Sequence, residues 1–284
     1  MSYLKNLILL TRMDRPIGIF LLLWPTLSAL LIAKQGIPEL KIVIIFIIGT
    51  ILMRSAGCIA NDLADRKIDR YVNRTKNRPL ATKEASIFEA LTYLFIILAL
   101  SFFLVLQLNF LTIKLSFCAL LSVVAYPFFK RFFAVPQLML GISFGFGILM
   151  AFSAIQDLIP FEAWALFTAN IFWVLSYDSH YAIADMKDDK KINIRSSALT
   201  LKNYTIPCIL ISTIFMFLIL LFIGFDNDYS ISFYILIAIS SVISLRGTFK
   251  GMGMDPEKNF GTFLSNNYVG FFMFMAFMSQ ILKI

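Results

Sequence analysis

The sequence predicts an all-α integral membrane protein: a single bundle of about nine transmembrane helices with an acidic site toward the cytoplasmic side. The first observation behind this is composition. Of 284 residues 59% are hydrophobic and only 15% charged, and the mean hydropathy is +0.82, far from a soluble domain. The second is that apolar runs recur along the chain at lengths near the roughly 20 residues a helix needs to cross a bilayer. The third is where the acids lie. Two short clusters at the ends of apolar runs, 61–69 and 178–189, hold Asp62, Asp65, Asp69, Asp178, Asp185, Asp188 and Asp189, and Glu84 stands just beyond the first.

In chain order the predicted spans are 17–33, 42–59, 87–106, 111–129, 138–155, 161–175, 206–223, 231–245 and 269–282. Several are short, and their polar flanks supply the missing length. Lys5, Arg12 and Arg15 before the first run imitate a secretory signal, but no small-x-small cleavage site follows, so the run reads as a retained span. Residues 61–83 form the longest polar stretch, and no Gly/Ser-rich linker divides the chain, so 1–284 reads as one polytopic domain. The two acidic clusters, each ending an apolar run and leading into basic residues, hint at related halves without establishing a repeat.

Orientation follows from the basic residues, which accumulate in cytoplasmic loops. With the N-terminus cytoplasmic, that face receives Lys5, Arg12, Arg15 and the seven basic residues from Arg66 to Lys83. It also receives Lys130, Arg131, Lys187, Lys190, Lys191, Arg195, Lys202, Arg246, Lys250 and Lys258. Lys34, Lys41, Lys114 and Lys283 fall on the other face, and Arg54 lies inside a span. Both acidic clusters then lie on the cytoplasmic side. The net charge of +8 is explained by these loops and points to anionic headgroups or an anionic substrate rather than nucleic acid. Cys58, Cys118 and Cys208 sit in or beside apolar runs without CxxC spacing, which argues against a disulfide frame or a zinc site.

Helical geometry gives each cluster a common face. Asp62, Asp65 and Asp69 are spaced three and four apart, as are Asp178, Tyr181, Asp185 and Asp188 or Asp189. Carboxylates gathered beside a membrane are costly unless a cation offsets them, so two facing acidic ridges point to one or two hard divalent ions. Mg²⁺ takes few carboxylates together with water and phosphate oxygens, whereas no EF-hand spacing supports Ca²⁺. Arg66, Lys67, Arg74, Lys76, Arg78, Lys130 and Arg131 lie near enough in sequence to contact a diphosphate. Arg54, seven residues before Asn61, shares its helical face; it either pairs with a site carboxylate or recognises the carboxylate of a substrate. His180 falls beside the second ridge and reads as structural. Tyr181 falls on the ridge, able to bond a diphosphate or line an acceptor pocket. The 30 Phe residues mainly make lipid-facing and packed surfaces.

Two long motifs, in this order, carry a resemblance. The segment Met53-Arg54-Ser55-Ala56-Gly57-Cys58-Ile59-Ala60-Asn61-Asp62, continuing through Asp65 and Asp69 to Asn77-Arg78-Pro79-Leu80, is similar to an NDxxDxxxD signature and its flanks. The segment Tyr177-Asp178-Ser179-His180-Tyr181-Ala182, continuing through Asp185, Asp188 and Asp189 to Ile194-Arg195-Ser196-Ser197-Ala198, is similar to a YDxxYAxxDxxDD region. With Asp14-Arg15-Pro16-Ile17-Gly18 and Trp24-Pro25, the chain resembles the UbiA-type intramembrane aromatic prenyltransferases, within them the bacterial branch that prenylates 4-hydroxybenzoate in ubiquinone synthesis. Met186 and Lys187 depart from the polar residues usual in relatives, but the acidic spacing is intact.

The resemblance implies a nine-span helical fold in the bacterial inner membrane and Mg²⁺-dependent transfer from a polyprenyl diphosphate to the ring carbon ortho to the acceptor hydroxyl. It implies a shared metal–diphosphate role for Asn61, Asp62, Asp65, Asp69, Asp178, Asp185 and Asp189. Substrate contacts are expected from Arg54, Arg66, Lys67, Arg78, Lys130, Arg131 and Tyr181, with Arg54 holding the acceptor carboxylate and Asp185 assisting deprotonation. Two alternatives are another aromatic or haem acceptor and, in a different class, a cation-coupled transporter whose carboxylates bind the transported ion.

Overall fold

The structure is a computed structural model that describes residues 3–71, 75–129, 131–191 and 195–282. Among these the regular structure is entirely helical. The helices are α1 (Tyr3–Thr11), α2 (Ile17–Lys34), α3 (Leu40–Asp65), α4 (Pro79–Thr82), α5 (Ile87–Val105), α6 (Phe110–Phe129), α7 (Gln137–Gln156), α8 (Phe161–Lys191), α9 (Ser197–Leu201), α10 (Thr205–Asp226), α11 (Ile231–Gly251) and α12 (Pro256–Leu282). Single 3₁₀ turns lie at Asp69–Tyr71 and Lys202–Tyr204.

Local chemistry sets several helix ends. Ser86 accepts a hydrogen bond from the Glu89 amide at 3.0 Å and so caps α5. The Glu89 carboxylate does not close the capping box; it accepts instead from Asn6 and Tyr93, tying α1 to α5. Pro79 opens α4, where its missing N–H costs nothing. Gln35 ends α2 in the left-handed conformation, its N–H bonded to the Ile32 carbonyl.

The protein is an integral membrane protein: seven helical segments are long and apolar enough to cross a bilayer. They are α2, α3, α5, α6, α7, α11 and the stretch Ser197–Asp226 that joins α9 to α10. The expected runs 161–175 and 269–282 prove to be parts of longer, more polar helices, α8 with 31 residues and α12 with 27. No proline or glycine lies inside α8 to stop it, so the helix carries the whole second acidic cluster beyond its apolar part. The first half of α12 is hidden from hydropathy by Asn259, Thr262, Asn266 and Asn267. Each of these is satisfied by a neighbouring helix: Asn259 by His180, Thr262 by the Gly247 carbonyl, Asn266 by Trp173 and Asn267 by Trp24.

Packing divides the bundle unevenly. α2, α7, α8, α10, α11 and α12 share the main core around Trp173, Phe152, Ile148 and Phe233. Close approach there relies on two glycines. A Cβ on Gly270 would lie 2.6 Å from Trp173 and 2.7 Å from Trp24, and one on Gly147 would lie 2.6 Å from the Thr26 hydroxyl. On the other side α3 packs on α5 and α1 through a smaller cluster with Leu10, Ile59 and Ala90. α5 and α6 touch each other little, and their outer faces expose Phe88, Phe103, Leu121 and Val124, as lipid-facing helices do. Between α2, α3, α5, α6 and α7 a chamber of about 570 Å³ remains open.

Candidate active site

One face of α3 links the chamber to the first acidic cluster. Phe46, Thr50, Met53, Arg54 and Gly57 line the chamber at steps of three and four residues. The next positions on that stripe are Asn61 and Asp65. Seven residues separate Arg54 from Asn61, about 10 Å along the helix. A single helix thus presents an apolar wall, then a cation, then polar oxygens.

Beyond α3 the helix does not continue to Asp69, as the regular spacing of the acids had suggested. It ends at Asp65, and Asp69 opens a 3₁₀ turn. Asp69 nevertheless returns to Asp62, because Arg78 Nη1 contacts Asp62 Oδ1 and Asp69 Oδ2, both at 2.9 Å. Thr75 Oγ1 donates to the Asp69 carbonyl at 3.0 Å and closes the turn. Asp62 is 1% exposed, Asp69 6% and Asp65 9%, so this is a buried charge network. Burial works against the charge of Arg78, but Asp62 and Asp69 outweigh it and hold its pKa above the ordinary arginine value.

A second guanidinium completes the network, and sequence reasoning missed it. Arg12 Nη2 donates to both oxygens of Asp62, at 2.9 and 2.8 Å, and Nη1 donates to the Leu9 carbonyl. Arg12 had been read only as a charge that orients the first span. No local sequence signal finds it: Arg12 lies in the turn between α1 and α2 and meets Asp62 because both helices pack on α3.

The second cluster lies along α8. Asp178, Tyr181, Asp185 and Asp189 form a half-buried ridge, whereas Ser179, His180, Ala182 and Ile183 are buried behind it. His180 locks this rotation. Its Nδ1 lies 2.6 Å from Asn259 Oδ1 and its Nε2 3.3 Å from Thr248 Oγ1. The Asn259 amide nitrogen donates to the Gly251 and Asp255 carbonyls, which turns its oxygen toward the imidazole and assigns a proton to Nδ1. Ser197 Oγ donates to Ser179 Oγ at 2.8 Å and adds a second tie behind the ridge. Tyr181 packs against Phe263, with centroids 4.8 Å apart.

The expected basic residues divide in the same way. Arg78 enters the network; Arg66 folds back to the Leu63 carbonyl; Lys67 and Arg131 are exposed, Arg131 lying over Phe128 at 5.7 Å. Lys130 and Arg74 lie outside the described residues. Arg54 takes no part in the described ion pairs of the site, which run Arg12–Asp62, Arg78–Asp62 and Arg78–Asp69. Its guanidinium carbon lies 6.0 Å from the Phe144 ring centroid, at the chamber wall.

Among the described residues no three His, Cys, Asp or Glu side chains converge as a finished ion cage. The individual donors still suit a hard divalent ion. Asn61 Oδ1 is buried and has no hydrogen-bond partner, an amide oxygen beside Asp62 on the face that leads to the chamber. Amide and carboxylate oxygens are the ligands that Mg²⁺ and Mn²⁺ prefer.

The profile of the UbiA prenyltransferase family matches residues 22–276. A 4-hydroxybenzoate octaprenyltransferase of Nitrosomonas eutropha is 48% identical over 96% of this chain and 96% of its own length. One from Francisella tularensis subsp. tularensis is 42% identical over 99% and 97%. Among solved structures, a UbiA homolog from Aeropyrum pernix K1 superposes with a TM-score of 0.79 at 21% identity, covering 94% of this chain and 97% of that one. A UbiA homolog from Archaeoglobus fulgidus bound to DMAPP and Mg²⁺ gives 0.75 at 18%, over 98% and 100%. These two likenesses establish the fold.

Proposed function

The chain belongs to the UbiA prenyltransferase family, and from that premise we propose that it transfers a polyprenyl group to 4-hydroxybenzoate, at the ring carbon ortho to the hydroxyl, in ubiquinone synthesis. The observation that carries this reading is the order of groups on one face of α3: chamber wall, then Arg54, then Asn61 and Asp65. That order matches a donor with an apolar tail and an anionic head beside an acceptor that carries a carboxylate. Full-length relatives named as 4-hydroxybenzoate octaprenyltransferases support the acceptor.

The residues divide the work as follows. The chamber takes the first isoprene units and excludes water from the reacting carbon. Asn61, Asp62, Asp65 and Asp69 from one side and Asp178, Asp185 and Asp189 from the other would hold Mg²⁺, which neutralises diphosphate charge and so favours its departure. Arg78, already buried among the acids, places positive charge beside the leaving oxygens, with Arg66, Lys67, Lys130, Arg131 and Tyr181 as further contacts. The allylic C–O bond breaks, the ring carbon ortho to the hydroxyl forms the new C–C bond, and loss of the ring proton restores aromaticity. Asp185 draws the phenol proton and makes the ring more nucleophilic. Arg54 orients the acceptor through its carboxylate.

The same reading takes α8 and α12, with their polar ends, as the eighth and ninth spans beside the seven apolar segments. The basic loops then place the N-terminus and the site on the cytoplasmic side of a bacterial inner membrane. The test is to incubate detergent-solubilised protein with Mg²⁺, a polyprenyl diphosphate and 4-hydroxybenzoate, and to look for the prenylated acid by mass spectrometry against competing acceptors. Product from 4-hydroxybenzoate in preference to naphthoate or homogentisate supports the reading. Well-folded protein that turns over only another acceptor, or none, overturns it.

A further inference from the structure

α3 carries two glycines, Gly49 and Gly57, and both line the chamber. Glycine inside a transmembrane helix usually serves a close approach between helices. Gly141, Gly145 and Gly147 of α7 follow that rule, since a Cβ on them would lie 3.0, 2.5 and 2.6 Å from an atom of a neighbouring helix. Gly49 does not follow it: among the described residues a Cβ there would meet nothing within 4 Å. Yet Gly49 is half-buried, and Phe46, Thr50 and Met53 beside it line the same chamber. What the missing side chain leaves is therefore room inside the chamber, at a cost in helix propensity.

The place of that room along the chamber fits a particular part of a prenyl tail. The lining on α3 runs from Gly57, next to the polar oxygens, to Ile45. Gly49 lies about 12 Å from Gly57 along the helix axis. An isoprene unit adds four chain carbons, and with bonds of about 1.5 Å it spans about 5 Å when extended. A donor whose diphosphate is held at Asn61 and Asp65 thus lays two units along α3 before its third reaches Gly49. Just beyond, Ile45, Phe46 and Val105 are buried and close that end of the chamber. A longer tail has to turn at the level of Gly49. Phe102 of α5 and Phe117 of α6 line the chamber and are also 45% and 52% exposed, so the wall toward the bilayer is thin between these two helices.

We infer that Gly49 is a specificity-determining residue for donor length: its bare backbone is the room in which the third isoprene unit turns, so it admits long tails that any side chain there would obstruct. The inference rests on the polyprenyl-donor reading above and adds to it a residue to which that reading gives no role. It also accounts for a glycine that no helix contact explains.

Gly49→Leu fills the room with a side chain that suits a helix. The test compares wild type and variant on geranyl, farnesyl, geranylgeranyl and octaprenyl diphosphates, with 4-hydroxybenzoate in excess. For geranyl diphosphate, which ends short of Gly49, kcat/KM should stay within about twofold of wild type, and for geranylgeranyl and octaprenyl diphosphates it should fall about tenfold or more. Where a donor turns over slowly, its affinity is read from competition against the preferred donor and should change in the same pattern. Thermal unfolding in matched detergent should show no loss of stability, because the new side chain enters open space. Gly49→Ala should shift the ratio of long to short donors the same way by about two- to threefold, and it carries the test if Gly49→Leu does not fold. An unchanged ratio in the folded variants, or an equal loss for every donor, overturns the inference and leaves the donor reading standing so long as wild type makes product. Wild type that transfers no prenyl group from any of the four donors removes both.

Discussion

The two acidic regions reach similar composition by opposite constructions. The first is assembled from chain that has left its helix: Asp62 on α3, Asp69 on a separate turn, and Arg12 and Arg78 from flanking segments to bind them together. The second is one unbroken helix, its ridge half-open and its back fixed by His180 on Asn259. In the first region the charges are structural partners of one another, so they are buried and expensive to remove singly. In the second, neutral hydrogen bonds of His180 and Ser179 lie behind the ridge, and the ridge itself stays half-open. In the proposed divalent diphosphate site, one wall is buried and cross-linked by guanidiniums and the other is half-open.

The largest effect expected is common to both walls. Asp62→Asn and Asp185→Asn should each lower prenyl transfer by at least about 10²–10³-fold, measured as product formed by protein that elutes as a single folded species. Retention of full turnover by either variant would remove that wall from the site. Stability should then separate the two. Asp62→Ala takes the carboxylate from Arg12 and leaves Arg78 with Asp69 alone in a buried network, and should cost about 3–5 kcal/mol, whereas Asp185→Ala on the half-open ridge should cost about 1 kcal/mol or less. Thermal unfolding in matched detergent reads the difference, and equal losses would erase the contrast drawn here.

Arg54→Ala tests the ground between the walls. It should raise KM for 4-hydroxybenzoate about 10–100-fold while the donor KM stays within about twofold, as expected for loss of a charged hydrogen-bonding partner of one substrate. A donor KM that rises in parallel would move Arg54 from the acceptor to the diphosphate. The smallest effect concerns the back of the second wall. Asn259→Ala should destabilise the protein by about 1–2 kcal/mol through the interhelical bond to His180, with partial activity retained. A stability unchanged within error would show that the His180–Asn259 contact does not hold the helix.

The apolar part of this molecule was legible in the sequence. Spans 17–33, 87–106 and 111–129 match α2, α5 and α6 to within a residue or two, because lipid-facing and core-facing residues alike must be apolar. Legibility fails where polar residues are satisfied inside the bundle. Asn259, Thr262 and Asn266 kept the start of α12 outside the expected span 269–282, although helix-to-helix hydrogen bonds anchor it. The acidic motifs showed which residues matter but not how they meet: Asp69 reaches Asp62 through Arg78, not through helical periodicity. Arg12 carries no local signal: its pairing with Asp62, 50 positions away, exists only once the helices are packed.

The measurement that most directly tests the two-wall account is a titration of Mn²⁺ by electron paramagnetic resonance, with and without a prenyl diphosphate, on wild type, Asp62→Asn and Asp185→Asn. The account predicts donor-dependent Mn²⁺ binding in wild type that is lost in both variants, since each removes one wall of a shared site. Undiminished donor-dependent binding in either variant would contradict it and would reduce the site to a single acidic cluster.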